Sequence, residues 1–365
     1  MILKKEVHYG DTENNFKAFI DSYTEMTSEV GQTFRVKTKN KIFSVISSVS
    51  PCLSGSTAVF GMIIPGRSYS GELPPLTEAE ISCAARLRQD VGMLSVDIGE
   101  RNTGKPEQLA AAAEYLEARF LGLGYAVHRE TFMAGGVSVA NIVAEKQGRA
   151  QPEEIVIVGA HYDTPPGSPG ANDNASGVAG LLEIARGAGD APRRTLRCVA
   201  FVNEEPPYFQ TELMGSRVHA RGCRERREKI KAMLCLECLG CYNDRSGGQI
   251  YPPPLGRWYP DRADFIAFCS NLRSYPLLRK AARIFRTTTK FPSEGVVAPE
   301  RLAGIGWSDH WSFWQERYRA IMITDTAFLR NRHYHLATDL PESLDYERMA
   351  RVVGGIQRVT DDLLR

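Results

Sequence analysis

Ile155-Val-Ile-Val-Gly-Ala160-His161-Tyr162-Asp163 is an uninterrupted apolar run that stops at a histidine and an acid. A run without polar alternation marks a strand covered on both faces, which belongs in a parallel sheet between helices. Working outward, Leu196–Asn203, Ala232–Leu239 and Ala320–Thr324 are further apolar runs, and helical stretches at Ala175–Ala188 and Thr211–Ala220 separate the first of them. Upstream, Pro106–Leu121 places Leu109, Ala112, Ala113, Leu116 and Phe120 on one helical face and stops at Gly122 and Gly124. Tyr125–Phe132 and Val137–Glu145 read as a hairpin around Ala134-Gly-Gly. Thr77 is placed to cap a helix after Leu76, and Leu277–Thr288 and Asp345–Leu364 read as helices. This alternation predicts an α/β fold: a mostly parallel, mixed sheet with helices on both faces, in a single domain behind an N-terminal extension.

Composition bounds the chemistry without naming it. The chain has 365 residues, and 45 Lys+Arg against 43 Asp+Glu leave a formal charge of +2. So even a balance gives no electrostatic footprint for nucleic acid or an anionic membrane. Eight cysteines are too sparse for a small disulfide scaffold. Residues 1–70 read as the extension and 71–365 as the domain. Within the extension, Ile42–Ile64 carries no charge and is long enough to cross a bilayer. It is rich in serine and broken by Pro51, so a weak membrane segment ranks below a loosely packed extension or strand pair. Cys235-x-x-Cys238-x-x-Cys241 reads as core thiols, since its first two members fall on a buried strand. Those closely spaced thiols lean towards a cytoplasmic location, whereas residues 42–64 hint at the cell envelope. A P-loop is absent, as is a Gly-x-Ser-x-Gly elbow.

In open α/β sheets ligands sit beyond the carboxyl ends of the strands. His161 and Asp163 follow the first apolar run, Glu204-Glu205-Pro-Pro follows the second, and Glu237 closes the third. After Ala320–Thr324 come Asp325 and then His333-Tyr334-His335. Gly170-Ala-Asn-Asp173-Asn-Ala-Ser-Gly177 adds a carboxylate where a helix begins. Two histidines and several carboxylates at one sheet edge form a nitrogen and oxygen donor set suited to zinc or a similar divalent ion. Each residue also has a plainer reading: Asp173 as a helix cap, Glu204-Glu205 as a solvated turn, Glu237 in a structural ion pair, and Tyr334 in packing. His333 competes with His335 for one role. Ser308-Asp309-His310 fits a site lining or a packed helix start.

His161-x-Asp163, Asp173 twelve residues after His161, Glu204-Glu205 and Tyr334-His335 together resemble the co-catalytic zinc aminopeptidases of family M28. The resemblance covers roughly residues 70–365, including Gly306-Trp-Ser-Asp309-His310 and Thr338-Asp-Leu-Pro-Glu-Ser-Leu-Asp345-Tyr. It implies an aminopeptidase/phosphorylase-like domain with two zinc ions, acting on peptides with a free N-terminus. On this resemblance Asp173 bridges the ions, His161 and Glu237 complete one site, and Glu205 and His335 complete the other. Glu204 becomes the general base for water activated at the ions, Tyr334 a donor to the oxyanion, and Asp163 the group that fixes the His161 ring. Where Glu237 stands the family usually has Asp, so metal stoichiometry is the part the resemblance carries least. The Tyr242–Asp264 loop, with Tyr251, Trp258 and Tyr259, reads equally as the wall of a specificity pocket and as solvent-exposed loop packing. Two rivals are a glutaminyl-cyclase-like transferase, which typically has Trp where Tyr334 stands, and a metal-free binding module.

Overall fold

In the computed structural model, which describes residues 64–189, 192–251 and 255–365, β3 (Gln151–His161) is flanked on both sides by parallel neighbours, β4 (Arg194–Phe201) and β5 (Lys229–Glu237). Next to β5 lies β8 (Ala320–Thr324), parallel to it; β6 (Ile266–Ser270) is antiparallel to β8, and β7 (Ser293–Val297) is parallel to β6. On the other side β2 (Val137–Lys146) is antiparallel to β4 and to β1 (Ala126–Ala134). The resulting eight-stranded mixed sheet has the order β1-β2-β4-β3-β5-β8-β6-β7. Gly135 and Gly136, both at positive φ, turn the β1–β2 hairpin. The five-residue strands β6 and β7 escape the sequence reading, because so short an apolar run carries no decisive period.

The helices are α1 (Glu78–Gly92), α2 (Pro106–Gly122), α3 (Gly177–Gly187), α4 (Gly215–Glu225), α5 (Tyr275–Thr288), α6 (His310–Gln315) and α7 (Tyr346–Leu364). Thr77 caps α1 in a reciprocal box with Glu80, and Asp345 caps α7 by accepting the Arg348 N–H. Strand alternation divides the core. Val156, Val158, Ala160, Cys198, Ala200, Leu234 and Leu236 join one apolar cluster with α1, α2, α3, α5 and α7. Phe201, one residue on from Ala200 and so on the other face, packs against His219 of α4 and Phe313 of α6. Burial on both faces is why β3 tolerates no polar alternation. The helix expected over Thr211–Ala220 instead begins at Gly215, whose Cα sits too close to the Val202 carbonyl and Asn141 for any side chain.

Residues 64–249 and 262–365 make up one unit, and residues 250–261 belong to another. The expected Tyr242–Asp264 loop is therefore not a single element. Within residues 250–261 the Tyr251 and Tyr259 rings stack at 5.7 Å, and the Tyr251 hydroxyl donates to the Pro260 carbonyl. Ile64 and the residues after it open the larger unit, whereas nearly all of the 42–64 segment lies outside the described residues. Among the described residues no helix is long and apolar enough to cross a membrane.

Arg101 fixes the segment between β3 and α3. Fully buried, it donates from Nε to the Tyr162 carbonyl, from Nη1 to those of Leu94, Gly99 and Pro169, and from Nη2 to that of Gly170. Burial pulls its pKa down to about 10, with Asp163, Asp339 and Asp173 opposing the fall, so it stays cationic at neutral pH. Replacing it strips the donor from a set of interior carbonyls. We expect Arg101→Met to cost about 3–5 kcal/mol, the range for removing one partner of a buried charged network. Denaturant unfolding of the folded variant measures this; an unchanged midpoint would show that the carbonyls find other donors.

Candidate metal centre

The chain order reverses at β3: β4 follows it on one side, and β5 crosses back to the other. Such a switch point leaves a crevice at the carboxyl end of the middle strand. His161 is the last residue of β3, Glu237 the last of β5, and Glu204-Glu205 follow β4 directly after Asn203. Three of the surrounding residues lie in the left-handed region: Asn203 just before the glutamate pair, Cys238 just after Glu237, and His335 itself. Non-glycine residues enter that region at an energetic cost and do so most often at functional sites.

Asp173 sits at the centre. Its Oδ1 lies 3.2 Å from His161 Nε2, and its Oδ2 lies 3.0 Å from His335 Nε2. Glu237 Oε2 is 3.4 Å from the same His161 nitrogen, and Glu205 Oε1 is 3.2 Å from the same His335 nitrogen. Glu204 is farther out, with Oε2 4.0 Å from His161 Nε2. All these residues are buried except His335, which is partly open. His333 points elsewhere, its Nδ1 2.9 Å from Thr338 Oγ1.

The donors fit divalent metal. His161 Nε2, both Asp173 oxygens, Glu205 Oε1 and His335 Nε2 are buried and make no hydrogen bond. Interior imidazoles and carboxylates left this way are costly unless a charge lies between them. His161, Asp173 and Glu205 each place a donor atom within 4.8 Å of the others, and so do Asp173, Glu237 and Cys238. The electrostatics agree. Burial pushes the Glu204 carboxyl well up, with Glu205, Glu237 and Asp309 adding to it and His161 opposing. Burial and Asp173 lift Glu205 to about 7. For the imidazoles burial acts downward, but the carboxylates overcome it, raising His161 and taking His335 to about 10. Asp173, despite its burial, is held low by the two histidines. The carboxylates thus raise the imidazoles while burial raises Glu204 and Glu205, a mutual strain that divalent cations held by neutral histidines would relieve.

Supporting contacts come from residues whose importance the sequence concealed. Asp339 accepts the N–H groups of Asn172 and Asp173 at 3.0–3.1 Å, tying Asp173 to the segment that carries His335. Asn174 accepts the Cys238 and Gly177 N–H groups and donates to the Leu236 carbonyl. Ser308 donates to Glu237 Oε2 at 2.7 Å, while His310 faces the Ile305 carbonyl and stacks edge-on with Trp314. Thus the Ser308-Asp309-His310 segment divides between site and core. Asp163 was expected to hold the His161 ring. Its carboxylate accepts the Glu204 and Glu205 N–H groups at 3.1 Å each. The ring's Nδ1 lies nearer the Asp163 carbonyl, at 3.2 Å, than its carboxylate, at 3.5 Å. Tyr334 stacks on His335 at 3.9 Å and lies beside Phe328, which in turn contacts Trp307. All three cysteines of the Cys-x-x-Cys-x-x-Cys stretch are buried and free.

The sequence pattern of peptidase family M28 matches residues 141–359. The chain belongs to peptidase family M28. YfbL of Escherichia coli K12 is 37% identical to it over 281 residues, which is 74% of this chain and 85% of that protein. Two solved structures share the fold. BSAP, a zinc aminopeptidase from Bacillus subtilis, superposes with a TM-score of 0.60 at 15% identity, covering 80% of this chain and 96% of that one. A glutaminyl cyclase from Bacteroides thetaiotaomicron gives 0.57 at 17% identity, covering 79% and 98%. In this M28 chain the donor set, with Glu237 included, converges on one crevice although its members come from distant segments.

Asp339 offers a test of how the M28 centre is supported. Groups that orient metal ligands typically contribute 10–100-fold in affinity. Asp339→Ala should weaken zinc binding by roughly that factor in a competitive chelator titration, and Asp339→Asn, which keeps one acceptor oxygen, by less. Equal affinities in all three proteins would show that the bridging loop holds its shape unaided.

Proposed function

We propose that this chain is a zinc-dependent aminopeptidase that hydrolyses the N-terminal peptide bond of its substrate with two ions at one centre. The observation that carries this reading is Asp173: each of its oxygens faces a different histidine, and each of those histidine nitrogens also lies near a different glutamate, an arrangement suited to two cations. His161, Asp173 and Glu237 would hold one ion, and Glu205, Asp173 and His335 the other. When bound, the ions polarise the scissile carbonyl and make water acidic near neutral pH.

The protein's own groups then divide the proton work. Glu204, beside the ligands but farther from the His161 nitrogen than they are, takes the proton of the attacking water and delivers it to the leaving amine. Its backbone is fixed by Asp163, so the carboxylate is held in reach rather than recruited. Burial, with the nearby carboxylates adding, keeps the Tyr334 hydroxyl protonated and therefore a hydrogen-bond donor to the developing oxyanion. The acid-rich edge that includes Glu204 and Glu237 suits the free α-ammonium of a peptide. Seven free thiols among the described residues support a reducing, cytoplasmic location, which cell fractionation tests.

Purified protein should contain zinc and cleave aminoacyl chromogens, and chelation should abolish cleavage until metal is restored. Glu204→Gln should lower kcat by about 10²–10⁴-fold, the range for a general base, while metal content stays near that of the wild type. Full turnover in this variant would remove Glu204 as base. Cyclisation of N-terminal glutamine in place of hydrolysis would move the assignment to the transferase class.

A further inference from the structure

Cys238 brings a soft sulfur donor beside the carboxylate oxygens of Asp173 and Glu237. It is fully buried, and its Sγ lies 3.2 Å from Glu237 Oε1. The opposite oxygen of that carboxylate, Oε2, faces His161 and Ser308. An oxygen of Asp173, an oxygen of Glu237 and the Cys238 sulfur lie within 4.8 Å of one another. Asp173 is itself 1% exposed, and neither of its carboxylate oxygens has a hydrogen-bond partner.

The backbone adds a second constraint. Cys238 has φ +51°, a conformation suited to glycine or asparagine, yet the position carries a thiol. The turn is fixed from outside: the Cys238 N–H donates to Asn174 Oδ1, and the Cys238 carbonyl accepts from Asp325. That conformation delivers Sγ to the carboxylate cluster. Neighbouring Cys235 is different. Its sulfur lies 3.1 Å from Ser308 Oγ, and it belongs to no group of clustered donors among the described residues.

Resting on the two-ion reading above, we propose that Cys238 is a metal ligand, joining Asp173 and Glu237 so that the first site is partly sulfur-ligated. On metal binding the thiol gives up its proton to solvent, and the thiolate bonds to the cation. Thiolate donors favour zinc and cadmium over the harder manganese and magnesium. The two sites then differ in kind: Glu205 and His335 complete a nitrogen and oxygen site, whereas the Glu237 side is selective for thiophilic ions.

X-ray absorption of the zinc-loaded wild-type protein tests this without any variant. A sulfur shell at about 2.3 Å from zinc is expected, beside nitrogen and oxygen at about 2.0–2.2 Å. Bound zinc with only nitrogen and oxygen neighbours overturns the sulfur ligand and leaves the aminopeptidase reading standing. Absence of bound zinc overturns both. The cobalt(II) form provides a second readout: a near-ultraviolet sulfur-to-cobalt charge-transfer band should be present in wild type and Cys235→Ser and lost in Cys238→Ser. A band that persists in Cys238→Ser overturns the assignment. Cys238→Gly, which relaxes the backbone, should lower cadmium affinity more than manganese affinity; an equal loss for the two ions overturns the selectivity.

Discussion

Carboxylates and imidazoles crowd a dry edge of the sheet, and no packing of like charges there is stable without positive charge between them. That constraint organises everything around it. Asp173, Glu204, Glu205 and Glu237 are all nearly inaccessible to solvent. The carboxylates raise the His161 and His335 imidazoles against the pull of their own burial. Buried donors left without hydrogen bonds between such groups suit a cation.

Holding such a site open requires rigidity in the surrounding segments. The candidate ligands come from β3, the turn before α3, the loop after β4, the end of β5 and the loop after β8, so no single element can position them. Hydrogen bonds bind these pieces to each other. Asp339 grips the Asp173 turn, Asp163 grips the glutamate pair, and Asn174 ties the start of α3 to the end of β5. Gly170 has φ +61°, and a side chain there would collide with the Asp173 carbonyl. The strained backbone at Asn203, Cys238 and His335 is the counterpart of this rigidity: the strands must turn sharply where their ligands begin.

The sheet was largely legible from the chain because its central strands are apolar on both faces and its helices alternate with them. β8 was read to the residue and α7 to within one, Asp345 proving to be its cap rather than its first residue. The start of α4 was misplaced because Gly215 is dictated by contact with β4 and Asn141, which no local pattern records. Asp163 was recognised as important, but its dominant bonds run to the backbone of Glu204 and Glu205, forty residues on. Asp339 and Arg101 passed unremarked for the same reason: a buried charge looks like any surface charge until its partners are known.

Apolar runs alternating with helical stretches were enough to read the fold class, because they are properties of neighbouring residues; the family and the candidate donors were read from the resemblance carried by His161-x-Asp163, Asp173, Glu204-Glu205 and Tyr334-His335. Tertiary structure alone shows that His335, not His333, faces Asp173, and that Cys238 reaches the cluster. Those outcomes depend on where the chain reverses at β3 and on hydrogen bonds between remote loops. Their geometry is set by contacts across the sheet edge, and chain order carries no direct record of them.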